Sequence, residues 1–78
     1  MITVLLFAEL EEKAGQREIH FADDALTIKE IRERLLADYP QLTGITSAMP
    51  AVNEDYAEDA KVVKSGDTVA FIPPVSGG

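Results

Sequence analysis

Apolar, strand-like runs lie near both ends of this 78-residue chain, and their placement limits the possible folds more than any other feature. Residues 2–7 are apolar except for Thr3, which predicts a strand that is buried on both faces and is therefore central in a sheet. Residues 68–72 form the second run and lead directly into Pro73 and Pro74. Because proline has no N–H to donate and a fixed φ, we expect the chain to leave the sheet there as a stiff extended segment.

One strong helix is predicted between these two strands. Thr27 and Glu30 have the spacing of a capping box, and apolar residues then recur at helical spacing as far as Tyr39. The apolar positions are Ile28, Ile31, Leu35 and Tyr39. Pro40 ends the helix, and the charged residues of its other face are interpreted as a solvated surface.

The shorter elements are predicted from local patterns. Residues 8–15 suit a short helical turn that stops at a glycine, and residues 17–21 alternate as a second strand, antiparallel to the first. Residues 41–50 are predicted to form a loop. Two short strands then flank a tight turn at Glu54-Asp55, and residues 59–64 are predicted to be a connection.

This order of elements predicts an α+β fold. A mixed sheet would carry the main helix across one face, with the first and last strands side by side in the middle, which is the β-grasp or ubiquitin-like arrangement. We expect residues 1–72 to form this domain and residues 73–78 to form an extended C-terminal tail. A chain this short buries only about 60% of its unfolded surface, which leaves little room for an internal active-site cavity.

Composition excludes several functions. Fourteen acidic and seven basic residues give a net charge of −7, which argues against nucleic acid and favours either a basic partner or simple solubility. There is no cysteine, and His20, the only histidine, is predicted to be exposed or at a sheet edge. No phosphate loop or metal-ligand spacing is present. No apolar run approaches the roughly 20 residues that span a bilayer, and the chain opens without a basic leader, so we expect a cytoplasmic protein.

The ending Gly77-Gly78 predicts that the C-terminal tail can enter a narrow channel of another protein. Six residues from Pro73 onward reach about 20 Å at ~3.3 Å per residue, and glycine leaves the tip without side chains. The alternative is a disordered glycine end. A terminal carboxylate becomes reactive once adenylation makes its oxygen a leaving group, and the activated carbonyl can then accept sulfur to give a thiocarboxylate.

The sequence Val-Ala-Phe-Ile-Pro-Pro-Val-Ser-Gly-Gly at residues 69–78 resembles the C-terminal signature of the small subunits of molybdopterin synthase, the MoaD-type sulfur carriers. Residues 4–8 and 51–53 are similar to other recurring stretches of that family. The resemblance covers essentially the whole chain, and residues 41–50 are its least similar part.

The resemblance implies a reaction cycle. A ubiquitin-activating-type adenylyltransferase would use ATP to adenylate Gly78, and a sulfurtransferase system would convert it to the thiocarboxylate. The loaded tail would enter the large synthase subunit and donate sulfur to cyclic pyranopterin monophosphate, forming the dithiolene of molybdopterin. Two small and two large subunits would form a heterotetramer. The chain would be non-catalytic alone and would bind no cofactor tightly. The residues threading the partner's channel would be Pro73, Pro74, Val75, Ser76 and Gly77.

Strand alternation also predicts a docking patch. Phe7, Tyr56 and Ile72 are expected to form a partly exposed apolar surface that both partners bury around the tail, although Phe7 could instead be a core residue. Three alternative functions stay open. They are a thiamin-pathway sulfur carrier, a ubiquitin-like modifier conjugated to lysines, and a non-catalytic β-grasp interaction domain with a dispensable tail.

Overall fold

The computed structural model describes residues 1–74, in which a five-stranded sheet, a two-stranded sheet and two α-helices are connected by short turns. The elements in chain order are β1 (Ile2–Leu6), α1 (Glu9–Ala14), β2 (Glu18–Phe21), β3 (Ala25–Thr27), α2 (Ile28–Asp38), a 3₁₀ turn (Thr43–Thr46), β4 (Met49–Val52), β5 (Asp55–Tyr56), β6 (Val62–Lys64) and β7 (Thr68–Ile72). The far part of the predicted tail, Val75, Ser76, Gly77 and Gly78, lies outside the described residues.

The large sheet has the predicted mixed topology. Its strand order is β2-β1-β7-β4-β5, so the first and last strands lie side by side near the middle. β1 and β7 are parallel, with Val4 opposite Val69, whereas β2 and β4 are antiparallel to their neighbours. The α+β, β-grasp prediction is confirmed.

Helix α2 begins with the predicted capping box. The Glu30 N–H donates to Thr27 Oγ1 at 3.1 Å, and the Thr27 N–H donates to Glu30 Oε1 at 2.9 Å. These two bonds satisfy donors that a helix N-terminus otherwise leaves unpaired. The helix and one sheet face share the core through fully buried side chains, which include Ile28, Ile31, Leu35, Val4, Val69 and Phe71. The helix therefore covers one face of the sheet.

The prediction that β1 is buried on both faces is wrong. Ile2, Val4 and Leu6 are fully buried, but the alternate side chains of Thr3 and Leu5 are only half-buried. Phe7 follows the end of the strand and is 40% exposed, which also excludes the core alternative for this residue. The run is apolar apart from Thr3, because its less buried face carries Leu5, and Phe7 follows it without being fully covered by another described element. The central position of the strand is as predicted.

The predicted loop over residues 41–50 contains more regular structure than expected. It includes the 3₁₀ turn, and β4 begins at Met49 and takes in Pro50. The Pro50 carbonyl accepts from the Ala57 N–H at 3.1 Å, so the backbone polar side of this proline faces the β5 end of the sheet. The missing N–H is therefore not needed for pairing with β7, and the proline is tolerated inside a strand.

Two further assignments need correction. The tight turn between β4 and β5 consists of Asn53 and Glu54, one residue earlier than predicted. Residues 59–64 are not only a connection, because β6 lies at their end and pairs antiparallel with β3, with Leu26 opposite Val63. These strands have three residues each, too few for a period-two pattern to stand out. Within residues 1–74, neither helix is long and apolar enough to cross a membrane.

Candidate docking face and tail exit

The sheet surface turned away from α2 is apolar and largely uncovered. Strand alternation places on it the side chains that are not part of the core. We call this surface the open face, and its apolar side chains are Leu5, Phe7, Met49, Ala51, Tyr56, Ala70 and Ile72. An apolar patch of this kind, on a domain whose core lies on the other side of the sheet, is a candidate interaction surface.

The strand register explains the shape of the open face. Leu5 lies opposite Ala70, Ala70 opposite Ala51, and Ala51 opposite Tyr56, so one row of side chains crosses four strands. The two central members of the row are alanines. Their small side chains leave a shallow depression of about 650 Å³, bordered by larger side chains that include Phe7.

The three residues predicted to form a docking patch lie together on this face. Phe7 is 40% exposed, Tyr56 is 70% exposed and Ile72 is 38% exposed, and all three line the depression. Leu5, Met49 and Ala70 share the face but were absent from the prediction. The signal that identifies them is the same period-two alternation. It is concealed for Leu5 by the interpretation of residues 2–7 as doubly buried, and for Met49 by the predicted loop over residues 41–50. Burial of the patch by a partner stays a prediction.

The predicted tail begins at the edge of the open face. Ile72 is the last residue of β7 and lies opposite Met49, while Phe71 is the last partner of β1. Pro73 is half-buried, and Pro74, the last described residue, is exposed. Because β7 is paired with a strand on each side as far as these residues, the chain leaves the sheet from a firmly held position beside Phe7 and Ile72. Gly78 and the three residues before it are outside the described range.

Polar side chains fix the turn at the other end of the depression. The Asn53 side-chain amide donates to Asp67 Oδ1 at 3.1 Å, and the Asn53 side-chain oxygen accepts from the Thr68 N–H at 3.1 Å. The Lys64 N–H donates to Asp67 Oδ2 at 2.9 Å. These donors, first the Lys64 N–H and then the Asn53 amide, hold the pKa of Asp67 below its ordinary value. Asn53 is thereby tied to the start of β7.

Arg32 supports the sheet from the helix side. Its side chain is only 13% exposed, and Nη1 donates to the carbonyl oxygens of Ile45 and, at 2.9 Å, Ala48. Nε donates to Asp59 at 3.0 Å, and the guanidinium carbon lies 5.3 Å from the centre of the Phe71 ring. The residue links α2 to the segment that enters β4, and so it stabilises the strand that carries one side of the depression.

The remaining charged groups do not assemble into a metal centre or an acid–base site on the described part of the chain. His20 is exposed on the edge strand β2, as predicted, and its Nε2 lies 2.8 Å from Glu18 Oε2. The Arg34 guanidinium donates hydrogen bonds to both carboxylate oxygens of Asp23, at 2.7 and 2.9 Å. These hydrogen bonds are the main reason why the pKa of Asp23 lies below its ordinary value. Residues 1–74 contain no group of three acidic or histidine side chains able to hold a metal ion.

Proteins of known name and a solved structure are similar to this chain over nearly its whole length. The molybdopterin synthase sulfur carrier subunit of Chlamydomonas reinhardtii is 36% identical over 81 residues, covering 99% of this chain and 98% of that protein. The protein of the same name from Haemophilus influenzae is 33% identical over 81 residues, with 100% of both chains covered. The crystal structure of SAMP1 from Haloferax volcanii is similar with a TM-score of 0.83 and 28% sequence identity, covering 99% of this chain and 98% of that one.

A family model extends the similarity from β1 to the last residue. The model described as the ThiS family matches residues 4–78, a range that includes most of β1, all of β7, the apolar residues of the open face and the predicted tail. Since this match spans nearly the entire sequence and the relatives above are aligned over their full length, the chain belongs to the ThiS family.

Proposed function

We propose that this chain is the sulfur carrier subunit of molybdopterin synthase. The observation that carries the proposal is full-length similarity, above 30% identity, to proteins of that name in an alga and a bacterium. Their names favour this function over the thiamin-pathway alternative. The geometry agrees, because the tail leaves a central strand beside an apolar face that can dock on an enzyme.

The chemistry takes place at the terminal carboxylate of Gly78. A carboxylate oxygen attacks the α-phosphorus of ATP on a ubiquitin-activating-type adenylyltransferase, and pyrophosphate leaves. Sulfur at the oxidation level of sulfide, supplied by a sulfurtransferase system, then attacks the acyl carbon and displaces AMP, which gives the thiocarboxylate. In the large synthase subunit the thiocarboxylate sulfur bonds to a carbon of cyclic pyranopterin monophosphate, and water then cleaves the acyl–sulfur bond and returns Gly78 to its carboxylate. ATP thus belongs to the activating enzyme, and this chain needs no tightly bound cofactor of its own.

The open face provides the docking surface for both enzymes. Phe7, Tyr56 and Ile72 are partly exposed around the depression and border the point where the tail starts. Their burial supplies affinity, while Pro73 and Pro74 direct the following residues, including Gly77, into the partner's channel. The net charge of −7 speeds encounter with partners that have basic rims. We place this cycle in the cytoplasm, within a heterotetramer of two small and two large subunits.

The test is reconstitution of sulfur transfer with the large subunit. Protein co-expressed with its activating enzyme should gain the mass of one oxygen-to-sulfur exchange, and the loaded protein should form molybdopterin from cyclic pyranopterin monophosphate. Deletion of Gly78 should abolish both results and leave thermal stability unchanged, because the tail lies beyond the last strand. Normal molybdopterin formation by the deletion variant would contradict the proposal.

A second function is favoured by one comparison. SAMP1, whose structure resembles this chain with a TM-score of 0.83, is named a small archaeal modifier protein. The same activated Gly78 carbonyl could be attacked by a lysine amine of another protein instead of by sulfur. Denaturing gels of cells that express a tagged chain distinguish the two uses, because conjugation gives a ladder that persists under reduction and disappears when Gly78 is deleted. A tail that can be deleted without any effect would instead indicate a non-catalytic interaction domain.

A further inference from the structure

The turn between β4 and β5 contains a residue that does not suit its backbone. Asn53 and Glu54 are its two central residues, with φ of 48° and 76°. Positive φ at both positions defines the type I′ hairpin turn, for which asparagine followed by glycine is the preferred sequence. Asn53 fits this rule. Glu54 breaks it, because a side chain in this region of backbone conformation is unfavourable and glycine is not.

Backbone strain in the described residues is concentrated around the open face. Between residues 1 and 74, three non-glycine residues have positive φ, namely Ala8, Asn53 and Glu54. Asn53 and Glu54 line the depression, and Ala8 directly follows Phe7. Asparagine suits its turn position, so the unfavourable conformations are those of Ala8 and Glu54. Unfavourable conformations beside one surface favour a role for that surface that stability alone does not explain.

Glu54 brings a carboxylate to the edge of an apolar surface. It is exposed, it lines the same depression as Tyr56 and Ile72, and within the described chain no basic side chain forms a salt bridge with it. Its neighbour Asp55 carries the same charge but lines a separate depression on the other side of β5. Solubility could be supplied equally by Asp55, without strain. The position of the Glu54 carboxylate is therefore the feature that needs an explanation.

We propose that Glu54 is a docking residue that pairs with a lysine or arginine of the large synthase subunit when that protein covers the open face. The inference rests on the proposed function and adds the chemistry of one contact. Burying the apolar depression places the partner's surface against the turn, where an acidic rim residue selects a basic group. Glycine at this position would relax the turn but would remove the carboxylate, which accounts for a strained glutamate in a turn that favours glycine.

The test compares three single variants of the full-length protein. Glu54→Gln removes the charge and keeps the side chain in the strained turn, whereas Glu54→Gly removes both the charge and the strain. Asp55→Asn is the matched control, because it removes an adjacent charge that lies on the other side of the strand. Binding to the large subunit is measured by stopped-flow association at low and physiological salt, and stability is measured by thermal unfolding.

We expect Glu54→Gln and Glu54→Gly to slow association about two- to fivefold at low salt, the range of an exposed ion pair, and to weaken its salt dependence. Asp55→Asn should change association by less than half as much. Relief of strain in Glu54→Gly should raise the unfolding midpoint by about 4 °C, while Glu54→Gln should leave it within about 1 °C.

The results separate this inference from the function on which it rests. Wild-type association by Glu54→Gln, or an equal effect of Asp55→Asn, would overturn the role of Glu54. A parallel Ile72→Asp variant tests the docking face itself, because it places a charge in the apolar surface near the tail. If Ile72→Asp blocks binding while Glu54→Gln does not, the proposed function stands and the Glu54 contact is wrong. If neither variant changes binding, the open face is not the docking surface and the Glu54 contact is wrong, whereas the sulfur-carrier function is overturned only if deletion of Gly78 leaves molybdopterin formation normal.

Discussion

When a side chain on the open face is truncated, its exposed fraction should determine how much of the lost free energy comes from docking and how much from folding. Tyr56 gives the clearest test, because it is 70% exposed in the isolated protein. Replacement by alanine should therefore remove little of the folding energy and much of the docking energy. Val69 is the matched control. It lies on β7, which β4 separates from the strand of Tyr56, and it is fully buried and faces α2.

The magnitudes follow from the exposed fractions. Complete burial of a large apolar side chain contributes about 1.5–3 kcal/mol, and we apply this range to the tyrosine ring. The 70% of Tyr56 that is still exposed then represents about 1–2 kcal/mol of docking free energy, and the buried part about 0.5–1 kcal/mol of folding free energy. Tyr56→Ala should weaken binding about 5- to 30-fold. Val69→Ala, which removes two buried methyl groups, should cost roughly 2 kcal/mol of folding and leave binding unchanged.

Two assays on the same variants check this division. Urea unfolding followed by circular dichroism gives the folding free energy, and titration calorimetry with the large subunit gives the affinity. Ile72→Ala should instead cost more folding free energy than docking free energy, because only 38% of that side chain is exposed in the isolated protein. If Tyr56→Ala and Val69→Ala lower the affinity equally, or if Tyr56→Ala destabilises the fold more than Val69→Ala does, burial in the free protein does not predict docking energy and the reasoning is refuted.

Two predictions concern stability away from the open face. Arg32→Met should cost about 2–4 kcal/mol in urea unfolding, because it leaves the carbonyls of Ile45 and Ala48 without their donor. Arg17→Met removes only an exposed ion pair and should cost less than about 1 kcal/mol, so equal losses would contradict a supporting role for Arg32. The lowered pKa of Asp67 means that its ionised form stabilises the fold near neutral pH, and that this contribution is lost as pH falls below 3.8 through the folded-state pKa. Asp67→Asn should therefore lower stability near neutral pH and converge with the wild type in acid, and a constant difference in acid titrations followed by circular dichroism would argue against this linkage.

The sequence predicts the elements whose signals are long and internally consistent. The capping-box residues Thr27 and Glu30 predict where α2 starts. The alternation of residues 17–21 predicts β2 and which of its side chains are buried or exposed. Their placement follows from local physics, since a capping box and a repeated apolar position specify the same structure without help from distant residues. The central pairing of β1 with β7 could be predicted because both strands are almost entirely apolar.

The assignments that failed depend on how strands pair and on what covers them. Pro50 argues against a strand locally, and it is tolerated only because its backbone polar side faces the end of β5. β6 has three residues and is defined by its pairing with β3, which lies more than thirty residues earlier. Leu5 was interpreted as buried because an apolar residue in a central strand looks the same whether a helix or a partner protein covers it. A single sequence does not distinguish burial under a helix of the same domain from burial by a partner protein.

That ambiguity is informative about function. A domain this short has one modest core, and here the core occupies the side of the sheet that α2 covers. A second face with a large apolar patch would ordinarily be selected against, because an uncovered patch promotes association. Three features meet at this surface. The apolar patch is uncovered, the strained turn places Glu54 at its edge, and the chain leaves the sheet beside Ile72. Because the helix side provides most of the stability, we expect substitutions of its buried side chains to act mainly on folding. Substitutions of strongly exposed side chains on the open face, such as Tyr56, should act mainly on docking and sulfur transfer.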